Sequence, residues 1–130
     1  MPLSWNASRT FSRAVAVAPL SGCQLLISGT ASIVGHESMH LGSPEEQTAE
    51  TLRNLEELVR RARTETGRPA PSDRLLTDGY LRIYVRNPRD LQAIEQALRD
   101  GLVDEPNCLF LKGDICRHDL LLEIEAAGGM

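Results

Sequence analysis

Residues 120–126 read Leu120-Leu121-Leu122-Glu123-Ile124-Glu125-Ala126. Side chains of a strand point alternately to its two faces. Leu120, Leu122, Ile124 and Ala126 therefore share one face, and Leu121, Glu123 and Glu125 the other. The two glutamates then stand roughly 6.5–7 Å apart, at a rise of about 3.3–3.4 Å per residue. Burying a charge is costly. The acidic face of this strand either meets water or lines a pocket in which a carboxylate has chemistry to do.

The elements upstream tell which faces are apolar. Phe11–Pro19 alternates like a first strand, Ser21-Gly22 makes a turn, and Gln24–Thr30 is a second strand ending in the Ser28-Gly29 pair. Residues 31–41 hold a short third strand or a loop. Ser43 opens the strongest helix: it is a good N-cap, Pro44 suits the first helical position, and Glu46 completes a capping box. Ala49, Leu52, Leu55, Val59 and Ala62 follow at helical spacing until Gly67 and Pro69 end the run. A polar loop over 68–73 leads to a strand within 75–86, with Leu81, Ile83 and Val85 on one side and Tyr80, Arg82, Tyr84 and Arg86 on the other. Asn87-Pro88 caps a second helix bearing Leu91, Ile94 and Leu98 and ending at Gly101. Strands over 107–112 and 120–126 close the chain. The order β-β-(β)-α-β-α-β-β predicts a single α+β domain over residues 1–130, a mixed sheet backed by two helices on one face. Tyr80, Arg82, Tyr84, Arg86, Glu123 and Glu125 would occupy the other face, facing solvent in a monomer or a shared interior in an oligomer.

Composition narrows the function classes. The 130 residues carry a formal net charge of −4, with a pI near 5.3. A dedicated nucleic-acid binder would present a basic surface to neutralise phosphates, so no nucleic-acid partner is expected and ribonuclease activity is the weakest of the options. No run approaches the eighteen or so apolar residues of a membrane span. No acid precedes Glu37, as in a transit peptide, but the alternation of Phe11–Val17 favours a strand. Asn6-Ala7-Ser8 fits a glycosylation acceptor by chance alone. Cys23, Cys108 and Cys116 are odd in number and lack metal-ligand spacing. They fit reduced thiols in a cytoplasmic protein.

Several constellations carry chemistry on paper. His36-Glu37-Ser38-Met39-His40 matches the H-E-x-x-H pattern of zinc proteases. That chemistry needs one helix across all five residues. Gly35 and Gly42 flank the motif and a new helix is capped at Ser43, so a polar loop is expected and no metal or other cofactor is assigned. Glu123 and Glu125 have the types and separation of a general acid/base pair, against the plainer reading of a solvated or Arg-paired strand face. Arg82 and Arg86, with Tyr84 between them, could hold a substrate carboxylate, because a guanidinium grips one bidentately; ion pairing with nearby acids is the alternative. Cys116 as a nucleophile would have only His118 nearby as a base, and a packed or surface thiol is the simpler account. Backbone N–H groups at Ser28-Gly29 could meet a ligand, or simply form a turn.

Taken together, these residues resemble the Rid/YjgF (endoribonuclease L-PSP-like) family. The resemblance runs from about Phe11 to Ala126 through Ile27-Ser28-Gly29, the helix from Ser43 with Gln47 and Asn54-Leu55, Tyr84-Val85, and Glu123-Ile124-Glu125-Ala126. A closer resemblance is to the C-terminal half of the chorismatases, through residues 11–14, the stretch Ile27-Ser28-Gly29 continuing to Ser38, residues 81–86, and Ile115-Cys116-Arg117 leading into residues 119–125. The family implies a homotrimer with ligand sites between subunits and no metal. It implies backbone contacts at Ser28 and Gly29, and an acid/base role for Glu123: activating water in imine deaminases, or protonating the enol ether of chorismate to release pyruvate. Cys116 matches a cysteine found seven residues before that glutamate in chorismatases that make an aromatic product. The arginine that clamps the substrate carboxylate in Rid deaminases aligns with Cys108, which removes their usual anchor. The resemblance therefore implies a small-molecule enzyme acting on a carboxylate, chorismate-like substrates first and imines second. A non-catalytic ligand-binding or chaperone-like Rid protein is the alternative.

Overall fold

A computed structural model describes residues 3–4, 14–17, 22–67, 75–102 and 107–130 of the chain. The strand expected over Phe11–Pro19 is thus described over Ala14–Val17 alone, and the loop over 68–73, like the matching residues 11–13, lies outside the described residues. The strands are β1 (Leu3–Ser4), β2 (Ala14–Val17), β3 (Gln24–Thr30), β4 (Ile33–Val34), β5 (Glu37–Ser38), β6 (Thr77–Val85), β7 (Asn107–Lys112) and β8 (Leu122–Gly129). The helices are α1 (Pro44–Glu65) and α2 (Leu91–Gly101). Six strands form one sheet in the order β1-β2-β3-β8-β6-β7, and β4 and β5 form a small hairpin.

The expected α+β architecture is present, with the last strand at its centre. β8 runs antiparallel to both β3 and β6, whereas β7 runs parallel to β6. A parallel pair needs a crossover, which α2 supplies; α1 likewise carries the chain from β3 past β8 to β6. Burial along β8 alternates without a break from Leu122 to Gly129. The strand starts two residues later and ends three residues beyond the sequence expectation, because Ala127, Gly128 and Gly129 pair with Leu26, Leu25 and Gln24. Their small side chains give no strand signal of their own. Leu120 is buried apart from the main core, with Ala31 and Ile115.

α1 begins as its sequence requires. The Ser43 side chain accepts the Glu46 N–H at 3.2 Å, with Pro44 as the first helical residue. Its stripe of Leu52, Leu55, Val59 and Ala62 packs with Ile94 and Leu98 of α2 against Leu25, Ile27, Leu81, Ile83, Val85, Leu122 and Ile124. The second helix differs slightly from expectation: Asn87-Pro88 opens a 3₁₀ turn over Pro88–Asp90, and the α-helix starts at Leu91.

The helices pack on one face of the sheet, and among the described residues nothing covers the other. Strand alternation and register put Val17, Leu26, Tyr80, Leu109 and Leu111 there, all exposed, with Leu26 and Leu109 at 50% and 54%. Glu123, Glu125, Arg82 and Tyr84 share this face. It is more apolar than a strand face built only for solvent.

Candidate acid/base site on the open sheet face

The site is built on an irregularity in β3. Ile27 pairs with Ala126 and Thr30 with Ile124, so Ser28 and Gly29 together span the width of Glu125 on β8. This is a β-bulge, a device that re-aims side chains and is frequent beside active sites. It resets the alternation: Leu25 and Ile27 face the core, and the next buried side chain is Thr30. The Ser28-Gly29 pair therefore lies within the strand, one residue short of its end.

Gly29 is needed for space. A Cβ built on it would fall 2.5 Å from Cδ of Glu123 and 3.0 Å from Cγ, and nearer still to Oε1. The Glu123 side chain thus lies over the bulge, in the volume that a side chain at position 29 would take. The atoms in the way are the far end of a flexible chain, so Gly29→Ala should move the carboxylate without unfolding the sheet. The expected result is a melting temperature within about 4 °C of wild type, with turnover reduced about tenfold or more by the misplaced group. Thermal melts and steady-state kinetics on the same preparation check it.

The two glutamates are unequal. Glu125 accepts from Arg82 Nη1 at 3.1 Å and from the Tyr84 hydroxyl at 3.4 Å. Glu123 makes no hydrogen bond or ion pair among the described residues. It is half-buried, and that partial burial, followed by the negative charge of Glu125, raises its pKa above the ordinary glutamate value. Glu125 is its charged neighbour on β8, and Tyr84 of β6 stands opposite it in the register. Burial and the Glu125 charge thus favour the protonated form at position 123 more than in a free glutamate, beside a carboxylate that is already paired.

A carboxyl whose pKa is raised in the fold stabilises the folded state fully below its unfolded pKa. That contribution is lost as pH rises from the unfolded value through the raised folded one. Glu123→Gln should melt higher than wild type at pH 7, with the difference vanishing near pH 4. Paired melting curves at the two pH values test this.

The remaining candidates separate. Arg86 follows β6, and its guanidinium, expected as a carboxylate anchor, is taken up by three backbone carbonyls. Its Nε donates to the Leu120 carbonyl and its Nη2 to those of Ile115 and Arg117, each at 2.8 Å. It ties down a loop instead. Arg82 and Tyr84 stay beside the glutamates. Cys116 is exposed on that loop and makes no hydrogen bond among the described residues. Cys108 is exposed on β7 and its side chain points, like Leu81 beside it, to the helix side. The His36–His40 segment forms the β4–β5 hairpin and its exit. His40 has a φ of 58° and sits between Glu46 and Glu50, at 3.4 and 3.3 Å. The one-helix geometry of a zinc protease is not formed.

Two polar residues of α1 support the site in a way the sequence reading did not assign. Gln47 is fully buried; its amide donates to the Asp119 carbonyl at 3.0 Å and accepts the Leu121 N–H at 2.8 Å. Asn54 donates to the carbonyls of Ala31 and Ile33 at 2.8 and 3.0 Å. The two residues hold the chain entering β8 and the chain leaving β3. The available signal was a glutamine eight residues before Leu55 on the apolar stripe, where a polar side chain needs buried partners.

The fold is that of the Rid/YjgF proteins. The structure aligns over 99% of this chain with a YjgF protein from Neisseria meningitidis, covering 94% of that chain, with a TM-score of 0.73 and 18% identity. In sequence the chain is similar to chorismatases. It aligns with a crystal structure of chorismatase over 92% of its length, at 31% identity and a TM-score of 0.78, covering 36% of that chain. It is 32% identical over 104 residues, 80% of its length, to a 3-hydroxybenzoate synthase from Streptomyces hygroscopicus, covering 31% of that protein. The chain spans about a third of these relatives. No family model matches it. Among the described residues, no helix is long and apolar enough to cross a membrane.

Proposed function

We propose that the chain is a Rid-fold enzyme of the chorismatase type, acting on a small carboxylate by acid/base chemistry at Glu123. The observation that supports this most is Glu123, half-buried, without a hydrogen bond or ion pair among the described residues, lying over the Ser28-Gly29 bulge with its pKa raised. A general acid works best when its pKa lies near the working pH. In an enol ether such as that of chorismate, Glu123 would protonate the vinyl carbon. Water would add to the resulting oxocarbenium carbon and return its proton to the Glu123 carboxylate, and the hemiketal would collapse to pyruvate and the ring alcohol as the hydroxyl proton passes to the leaving oxygen. Arg82 is the carboxylate anchor, released from Glu125 to the substrate. Ser28 and Gly29 offer backbone contacts, Tyr84 walls the pocket beside Glu125, and Cys116 is an auxiliary wall or acid/base group. Imines, with Glu123 activating water, are the second substrate class.

The open face is completed by other copies of the chain in a homotrimer. Exposed Leu26, Tyr80, Leu109 and Leu111 around a charged centre support this reading, since such patches mark association surfaces. A non-catalytic ligand-binding or chaperone-like protein would carry a solvated, ion-paired glutamate at position 123. Here the pairing falls on Glu125. The proposed location is the cytoplasm, with no cofactor. The test is release of pyruvate from chorismate by the purified protein, with light scattering on the same sample. Pyruvate release from a trimer is expected. A monomer at micromolar concentration, or no conversion of chorismate or of imines, would overturn the reading.

A further inference from the structure

The loop from Gly113 to Leu121 is closed around one side chain. Its ends are pinned to the end of β6: the Gly113 N–H donates to the Val85 carbonyl at 3.1 Å, and the Arg86 N–H to the Leu121 carbonyl at 3.0 Å. The Arg86 guanidinium fills the middle and donates to three carbonyls, those of Ile115, Arg117 and Leu120. Two of the three belong to the residues on either side of Cys116. Further ties hold the outside of the loop. Arg117 Nη1 donates to the His36 carbonyl at 2.7 Å, Ser38 donates to Asp119 Oδ1 at 3.0 Å, and Gln47 holds Asp119 and Leu121. Ile115 and Leu120 are sunk into the small cluster with Ala31, which follows the bulge over which Glu123 lies. Cys116 is exposed between these fixed points.

We infer that Arg86 is a positioning residue: by bonding the carbonyls on both sides of Cys116, it fixes that residue relative to Glu123, and it does not bind the substrate carboxylate. The inference rests on the proposed function for its catalytic consequence and on geometry alone for the clamp. The planar fork of arginine suits three carbonyls that lie in different directions. A lysine presents one compact charge and cannot reach all three.

Arg86→Lys and Arg86→Gln in the full chain test it, the lysine variant keeping the charge if the glutamine variant folds poorly. Hydrogen exchange in peptides covering 113–121 should accelerate about tenfold or more, while those covering 124–128 stay protected. A trifluoromethyl tag on Cys116, in a Cys108→Ser background, should give a narrowed fluorine signal in both variants. With chorismate, kcat should fall about tenfold or more with KM within about threefold of wild type, as expected when orientation and not binding is lost. Unchanged exchange and an unchanged fluorine signal would overturn the clamp. A raised KM at constant kcat would return Arg86 to the substrate. Faster exchange with unaltered kinetics would reduce it to a purely structural tie. If the wild-type protein releases no pyruvate from chorismate, the proposed function fails by that result, and the exchange and fluorine readings still decide whether Arg86 fixes Cys116.

Discussion

Glu123→Gln is expected to lower kcat for pyruvate release by about a hundredfold or more, within the range that a positioned general acid contributes. Glutamine keeps the size of the side chain lying over Gly29, so the bulge and the sheet stay in place. What it removes is the acidic proton. Because Glu123 makes no hydrogen bond or ion pair among the described residues, the substitution orphans no partner and should not destabilise the fold. Glu125→Gln is the informative companion. It removes the nearby charge that helps to raise the Glu123 pKa and releases Arg82. The alkaline limb of the wild-type pH profile, where Glu123 loses its proton, should then shift to lower pH. Equal losses in the two variants would mean that the carboxylates act as an interchangeable pair, contrary to the unequal roles assigned here.

The largest effect on stability is expected from Gln47→Leu. The buried amide serves two backbone groups, the Asp119 carbonyl and the Leu121 N–H. Leucine fills the volume and leaves both groups without their partner. Each unsatisfied group costs about 1–3 kcal/mol, so a loss of about 2–4 kcal/mol is expected for the pair, tempered because the two backbone sites are only partly buried. A melting temperature lower by roughly 7–15 °C would follow for a domain of this size. The urea midpoint should fall with little change in slope. An ordinary surface glutamine would show neither change, and a melting temperature within 2 °C of wild type would refute the support role.

Much of the fold was legible because its elements obey local rules. The Ser43 cap, the Leu52–Ala62 stripe and the alternation in β6 and β8 each specify an element and its buried face. Strand order was less accessible. That β8 lies between β3 and β6 depends on long-range pairing, which residues 122–129 do not encode one by one. The ends of β8 were missed because Ala127, Gly128 and Gly129 gain their strand geometry from neighbours on both sides. The bulge was invisible for the same reason: Ser28-Gly29 reads as a turn, and only the register against Glu125 shows an extra residue within a continuing strand.

The site was legible in its residue types and less so in its roles. Glu123 and Glu125 look equivalent in the sequence. Their difference comes from what each one meets: Arg82 and Tyr84 for Glu125, and the bare backbone of Gly29 for Glu123. Arg82 and Arg86 also look equivalent, being four residues apart on one strand face. Arg86 lies just past the end of β6, where the loop before β8 closes over it, and three carbonyls take its donors. No local pattern announces that closure.

The central claim is that a carboxylate ligand binds on the open sheet face beside Glu123. Crystals of the protein soaked with 3-hydroxybenzoate test it most directly. Density is expected at the Ser28-Gly29 bulge, with the ligand carboxylate on Arg82 and the ring within reach of Glu123, between copies of the chain. Ligand bound instead in the cleft between α2 and β7, lined by Arg99, Asn107 and Cys108, or an open face left empty at saturating ligand, would contradict it.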